Sequence, residues 1–310
     1  MTTGTDELRP PGVLLADKPD GPTSHDVVER VRELLGTRRV GHAGTLDPFA
    51  TGLLLLCAGR ATRLVEYLHL LDKTYEAVLR LGEETDTHDR EGETTATSGA
   101  WRELSSGRLE RALASFTGRI GQRPPAFSAK KVDGRRAHRA ARAGEEVELP
   151  EEEVRIERLE LLAWDPPEAR IRASVGTGTY VRALARDLGR ELGCGAHLRA
   201  LRRTSVGPFA VERAAAAAAL ETGELPASAW LTPAGALAWL PSRRLDDDEA
   251  RRVGHGSRVP EGRIEPPGLE GGPAGPEGRP VALLREGRLV AVAERLDGQL
   301  QPRKVFPDAA

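Results

Sequence analysis

Gly41-His42-Ala43-Gly44-Thr45-Leu46-Asp47-Pro48-Phe49-Ala50-Thr51-Gly52 is the stretch on which the reading of this chain turns. Its glycines, at 41, 44 and 52, let the backbone turn tightly and lie close to another chain or a ligand. Asp47 precedes Pro48, which biases its backbone to an extended conformation and so limits where the carboxylate points. The apolar run Leu53–Cys57 follows at once and anchors the loop to a core. The arrangement suits one carboxylate held rigidly in a cleft, although an Asp-Pro turn without chemistry has the same spacing. A phosphate-binding P-loop is excluded, because no Gly-Lys-Ser/Thr ending is present.

Outward from this loop the chain alternates between strand and helix signals. Gly12–Lys18 reads as a short buried strand ending in the turn Pro19-Asp20-Gly21-Pro22. Thr23 or Ser24 then caps a helix through Leu35, with Val27, Val28, Val31 and Leu34 on one face. Beyond the loop, Ala61–Leu71 has a helical pattern, Lys73–Leu81 alternates like a strand, and a long, acidic, turn-rich loop follows. Leu109–Phe116 reads as helix, Val147–Trp164 and Glu168–Val175 as strands. Thr179–Leu192 has a helical period, with Val181, Leu184, Ala185 and Leu188 on one stripe. The alanine run Ala214–Ala219 consists of helix formers and carries no function. Gly254–Arg279, rich in Gly and Pro, reads as a loop, and Val281–Leu284 and Leu289–Ala293 as a strand pair across Gly287. The expected organisation is a mixed α/β body over residues 1–230 and a small β-rich module over 231–310, with its Gly/Pro loop at 254–279.

Composition narrows the class. With 39% hydrophobic and 30% charged residues in 310, the chain reads as a soluble globular protein. No apolar run approaches the ~20 residues of a membrane span, and the first residues lack the basic-then-apolar order of a signal peptide. Two cysteines, Cys57 and Cys194, argue for a reducing compartment, so a cytoplasmic location is expected. Cys194 and His197 have a C-x-x-H spacing, but no second pair follows and no metal site is expected. The net charge of −2 says little by itself. Its distribution says more: Arg119–Arg142 and Arg182–Arg203 are basic, while acids collect at Glu83–Glu93 and Glu145–Glu160. Such segregation produces either a positive face for phosphates or ordinary solvated helix surfaces.

The segment GHAGTLDPFATGLLLLCAGRAT, residues 41–62, resembles the signature of the TruB family of tRNA pseudouridine synthases. DKPDGPTSHDVV at 17–28, DKTYEAVLRLGEETDTHDREGE at 72–93, RPPAFSAKKVDGRRAH at 123–138 and GTYVRALARDLGRELGCGAHLRALRR at 178–203 resemble further blocks of that family in the same order. The segments LDDDEARRVGHG and LQPRKVF of the tail are similar to the family's C-terminal RNA-binding module, less specifically. Two departures stand out: Phe127 occupies a position that is usually tyrosine, and the family's aromatic near His138 is missing.

The resemblance implies an α+β pseudouridine-synthase fold, with a mixed, largely antiparallel central sheet and a PUA-like C-terminal module. It implies isomerisation of uridine 55 in the T-loop of tRNA to pseudouridine, without a guide RNA and without a cofactor. Asp47 falls on the catalytic aspartate, Tyr75 on the active-site tyrosine, and Arg182 on the arginine that pairs with the nucleophile. His42, Tyr180 and Leu201 fall on positions that contact the flipped nucleotide, and Lys18 on a lysine expected to support the catalytic loop. Lys130, Lys131, Arg135, Arg136, Arg202 and Arg203 are weaker candidates for RNA-backbone contacts. The implied partner is the T-arm of tRNA, with no membrane and no obligatory protein partner, the chain acting as a monomer. Two rivals share part of this pattern: an RNA-guided synthase of the dyskerin type, and an RNA-binding or tRNA-folding protein. A glycoside hydrolase fits poorly, because no second carboxylate is clearly paired with Asp47.

Overall fold

A computed structural model describes residues 12–125, 131–132, 135–136, 149–270 and 280–306. In these residues the chain forms two compact units, one drawn from Met1–Pro48, Gly52–Leu71 and Ser205–Ala310, the other from Phe49–Thr51 and Asp72–Thr204.

The first unit is built on two strands buried on both faces. Val13–Lys18 runs antiparallel to Thr51–Ala58, in register from Val13↔Cys57 to Lys18↔Gly52. Leu53, Leu54, Leu55, Leu56 and Cys57 are all 0% exposed, which is why this strand reads as a continuous apolar run. On one face Val13, Leu15, Leu53 and Leu55 pack with Trp239, Val292 and Phe306. On the other, Leu14, Ala16, Leu54 and Leu56 pack with Val27, Val28 and Val31 of the Ser24–Leu35 helix. Thr23 caps that helix in a reciprocal box with Asp26, and Gly36 ends it in the left-handed region.

The C-terminal part of this unit carries a five-stranded sheet in the order Ser242–Arg244, Val281–Arg285, Arg288–Leu296, Gln299–Val305, Val259–Pro260. The expected pair meets in a hairpin at Glu286 and Gly287, both at positive φ. One face of the sheet supplies Ala282, Leu289 and Val292 to the core that holds Val13 and Leu15. Val281, Leu283, Val290 and Ala293 instead cluster with Ala250 and Val253 of the Asp247–Gly254 helix.

In the second unit Lys73–Leu81 pairs antiparallel with Glu168–Val175, which pairs with Glu152–Asp165, which pairs with Gly118–Gln122. Every other residue of Lys73–Leu81 is buried, the alternation of a sheet with one covered face. Leu79, Leu81, Ala169 and Ile171 of that face meet Leu109 and Leu113 of the Ser106–Ser115 helix and Leu188 of the Val181–Glu191 helix. The opposite face is laced by cross-strand ion pairs such as Arg172–Glu76 at 2.8 Å.

Several segments depart from the sequence reading, among them the four that follow. Ala196–Val206 is an 11-residue strand where none is expected, because its arginines mask a pattern in which Leu198, Leu201 and Arg203 are buried. The alanine run is helical only from Ala217. Ala215 instead donates its N–H to Leu15 O and accepts from Asp17 N, both at 2.9 Å, so a neighbouring strand overrides helix propensity. The acidic loop contains a small ladder, Glu83–Thr85 against Thr94–Thr97. Ala61–Leu71 divides into a 3-10 stretch at Gly59–Leu64 and a short helix at Val65–His69.

Candidate active site

In the first unit, Asp47 lies half-buried in the turn between the Val40–His42 and Thr51–Ala58 strands. The residues on either side of it are held by remote side chains. Ser24 Oγ accepts the N–H of Leu46 at 2.8 Å and donates to Leu46 O at 3.0 Å. On the other side, Lys18 is 0% exposed, and its Nζ donates to the carbonyls of Pro19 (2.8 Å), Pro22 (2.7 Å) and Pro48 (2.9 Å). Gly21 N–H adds a second donor to Pro48 O at 3.0 Å. An ammonium carries three hydrogens, and three carbonyls receive them, which makes its burial tolerable. Gly44 and Gly52, at φ 99° and 104°, supply turns that residues with a Cβ rarely adopt. His42 sits at the end of its strand opposite Leu56. Lys18, His42 and Asp47 are thus gathered in one unit, and the sequence reading named all three. Ser24 was expected only as a possible helix cap; its hold on Leu46 was not foreseen.

The second unit carries Tyr75, Tyr180, Arg182 and Leu201. Tyr75 is on the buried face of Lys73–Leu81, opposite Ala173 and 8% exposed. Lys73, two residues away on the same face, is pushed down to about 8, first by burial and then by the Arg203 charge, against a smaller opposing pull from Asp72. Tyr180 starts the Val181–Glu191 helix, and Leu201 lies buried in the Ala196–Val206 strand.

Arg182 has a partner in its own unit that the sequence reading did not assign a role. Its Nη1 lies 3.5 Å from Asp89 Oδ2 and donates to Thr87 O at 3.1 Å, both charged side chains being 6% exposed. Asp89 is fixed in turn: Oδ1 accepts from Thr87 Oγ1 at 2.7 Å and from Glu91 N at 3.0 Å, and its carbonyl accepts from Thr85 Oγ1 at 2.7 Å. His88, inside this turn at φ 60°, is lowered to about 4 by burial and then by Arg186 and Arg182. The block 72–93 contains Asp89, but only the fold reveals that the arginine it meets is Arg182.

Of the weaker RNA-backbone candidates, Arg202 is half-buried, with Nη1 3.5 Å from Thr51 Oγ1. Arg203 is 1% exposed, so its guanidinium lies inside the protein rather than on a surface that meets phosphates. Lys131 pairs with Arg136 in a two-residue ladder that also joins Val132 and Arg135, while Lys130 and Phe127 lie outside the described residues. Cys194 Sγ donates to Gly195 O at 3.4 Å, and His197 Nδ1 meets Glu83 O at 3.0 Å. Among the described residues no three His, Cys, Asp or Glu side chains gather as for a metal, and no helix is long and apolar enough to cross a membrane.

A sheet with helices on its covered face, a carboxylate on a glycine-rich turn and a β-rich C-terminal module agree with the class of pseudouridine synthases that the sequence resembles. The particular family follows from comparison: residues 32–181 match the N-terminal domain of TruB family pseudouridylate synthase, and residues 182–228 match the tRNA pseudouridylate synthase B C-terminal domain. The chain belongs to the TruB family and is a tRNA-modifying isomerase. It is 46% identical over 306 residues to a tRNA pseudouridine synthase B of Thermobifida fusca, covering 95% of this chain and 98% of that one. A tRNA pseudouridine synthase B of Burkholderia lata is 44% identical over 301 residues, covering 96% and 91%. Among solved structures, a chain of a Cbf5-Nop10-Gar1 complex superposes with a TM-score of 0.74 at 27% identity, covering 98% of this chain and 89% of that chain.

Proposed function

We propose that the chain converts uridine 55 in the T-loop of tRNA to pseudouridine, without a guide RNA, and that Asp47 is the nucleophile. The observation that carries this reading is the double grip on the Asp47 turn, by Ser24 at Leu46 and by Lys18 at Pro48. A carboxylate so held approaches its target with little reorganisation, which is where much of a positioning enzyme's rate lies. The reaction breaks the bond between uracil N1 and C1′, turns the base, and joins C5 to C1′; a proton leaves C5 and one is taken up at N1. Covalent attack by Asp47, on the sugar or on the base, divides this hard step into easier ones. Tyr75 stacks on the extruded uracil, and its hydroxyl assists proton transfer at C5. His42, Tyr180 and Leu201 hold the flipped nucleotide, whose extrusion costs a few kcal/mol.

The basic segment around Lys130, Lys131, Arg135 and Arg136, with Arg202, meets the T-arm backbone. The module at 231–310 binds RNA away from the target base, and the body at 1–230 does the chemistry. Exposed arginines of that module, such as Arg244 and Arg251 with side chains 81% and 68% accessible, suit phosphate contact. The likeness to a chain of a Cbf5-Nop10-Gar1 complex keeps a partner-dependent synthase as the second reading. Higher identity to chains named tRNA pseudouridine synthase B favours the stand-alone enzyme.

The deciding test is tritium release from unmodified tRNA transcript labelled as [5-³H]uridine, with purified protein and no added metal or cofactor. Release with the parent chain and none with Asp47→Ala supports both the reaction and the nucleophile. Binding without release from either protein turns the reading to a guided or purely RNA-binding protein.

A further inference from the structure

We propose that Gln122 is a positioning residue for the isomerisation, acting through the start of the Val181–Glu191 helix; the inference rests on the functional reading above. Gln122 ends the Gly118–Gln122 strand opposite Glu152 and is 2% exposed. Its Oε1 accepts the backbone N–H of Tyr180 at 2.8 Å. Tyr180 is the N-cap of the helix and supplies no side-chain cap of its own, so this end depends on groups from elsewhere. One turn further on, Arg186 Nη2 donates to the carbonyl of Arg123 at 2.9 Å. Arg186 is itself steadied by Asp187, at 2.8 and 3.0 Å. Two consecutive residues, 122 and 123, therefore grip the first two turns of the helix that bears Tyr180 and Arg182.

The chemistry of the amide shows what this side chain is for. Tyr180 N–H is a donor, so the amide oxygen must face it and the NH₂ must point away. Among the described residues that buried Nε2 finds no hydrogen-bond partner, and neither does Thr179 Oγ1, on the residue before Tyr180. A buried, unmatched donor burdens the fold, and an apolar side chain of equal length would carry none. The polar group's visible work is the bond to Tyr180, and hence the placement of the helix start. Arg182 reads that placement directly, since it reaches Thr87 O at 3.1 Å and Asp89 Oδ2 at 3.5 Å, with little slack before both contacts weaken.

The experiment compares the parent chain with Gln122→Met, which keeps length and loses the acceptor, and Gln122→Glu, which keeps an acceptor. Single-turnover tritium release, tRNA affinity and thermal midpoint are read for each. Gln122→Met is expected to slow release roughly 30-fold, within the ~10²-fold that a 1 Å misplacement costs, while affinity and midpoint stay at parent values. Gln122→Glu is expected to recover most of that rate. The inference is overturned if Gln122→Met turns over like the parent, if its rate and midpoint fall together, or if Gln122→Glu is no faster than Gln122→Met. A parent chain that releases no tritium removes the functional reading and this inference with it, whereas an active parent with an equally active Gln122→Met removes only the inference.

Discussion

Restraints of two kinds surround two aspartates in the molecule. Asp47 is gripped through its neighbours: Ser24 bonds the backbone of Leu46, and Lys18 and Gly21 bond the carbonyl of Pro48. Asp89 is gripped through its own carboxylate, by the Thr87 hydroxyl, the Glu91 amide and Arg182. The first set of bonds fixes the backbone on either side of a side chain; the second fixes the side chain itself, against Arg182. The comparison teaches that a restraint can act on an acid through its backbone neighbours or through its carboxylate, and the more buried of the two, Asp89, shows the second kind. It also sets the order in which substitutions should hurt.

The largest separation is expected at Asp47. Asp47→Ala should lower single-turnover release by more than ~10³-fold, the scale of a lost covalent step, with tRNA affinity within about tenfold because phosphate contacts supply most of it. A variant that loses affinity and turnover together would make Asp47 a binding residue and collapse the distinction. Asp89→Ala should act on the fold as well as on the rate. It removes a carboxylate from beside a 6% exposed guanidinium that keeps its bond to Thr87 O, so the cost should be at most the about 3–5 kcal/mol of a buried pair broken on one side. Urea unfolding measures it. A loss under 1 kcal/mol with an unchanged rate would mean that Asp89 is not what holds Arg182.

Legibility followed the same divide. Asp47 was singled out by the resemblance of residues 41–62 to the TruB signature, since its glycines, its proline and the apolar run alone also fit an Asp-Pro turn. The Lys73–Leu81 strand and its Tyr75 were legible from strict alternation, and the 286–287 hairpin from its Gly. Asp89 was not legible as a partner, because Arg182 reaches it only after the helix at 181–191 has docked. Ser24 looked like a cap because it neighbours one; Thr23 takes that role and releases Ser24 for Leu46. Ala196–Val206 failed as a pattern because a buried arginine, Arg203, occupies a core-facing position that apolar residues usually mark. The alanines failed because local propensity is weaker than a pair of backbone bonds to Leu15 and Asp17.

The turn that holds Asp89 also contributes a pH dependence to the fold. His88 titrates near 4 in the folded chain against an ordinary 6.5, driven first by burial and then by the Arg186 and Arg182 charges. Between these values the unfolded chain binds more protons, so stability rises with pH through the window and is lost as pH falls toward 4. The full swing is roughly 3 kcal/mol at most. His88→Asn, a residue that tolerates positive φ, should flatten the dependence of urea midpoint on pH between about 4 and 6.5. An unchanged slope would place the acid sensitivity elsewhere and leave the Asp89 turn electrostatically silent.

The smallest effect belongs to the Asp47 side, and it is the sharpest test of a grip through neighbours. Ser24 is 2% exposed and makes two bonds to one residue, so Ser24→Ala strands the N–H and carbonyl of Leu46. The stability cost should be about 1–2 kcal/mol, that of unmet buried backbone groups. The rate should fall by several-fold, roughly, because Leu46 adjoins Asp47, the proposed nucleophile, and a loosened backbone misdirects it. Affinity should not move, since Ser24 faces the loop and no phosphate. If Ser24→Ala loses stability while turning over at the parent rate, then Lys18 and Gly21 suffice to hold Pro48, and Asp47 is aimed from its C-terminal side alone.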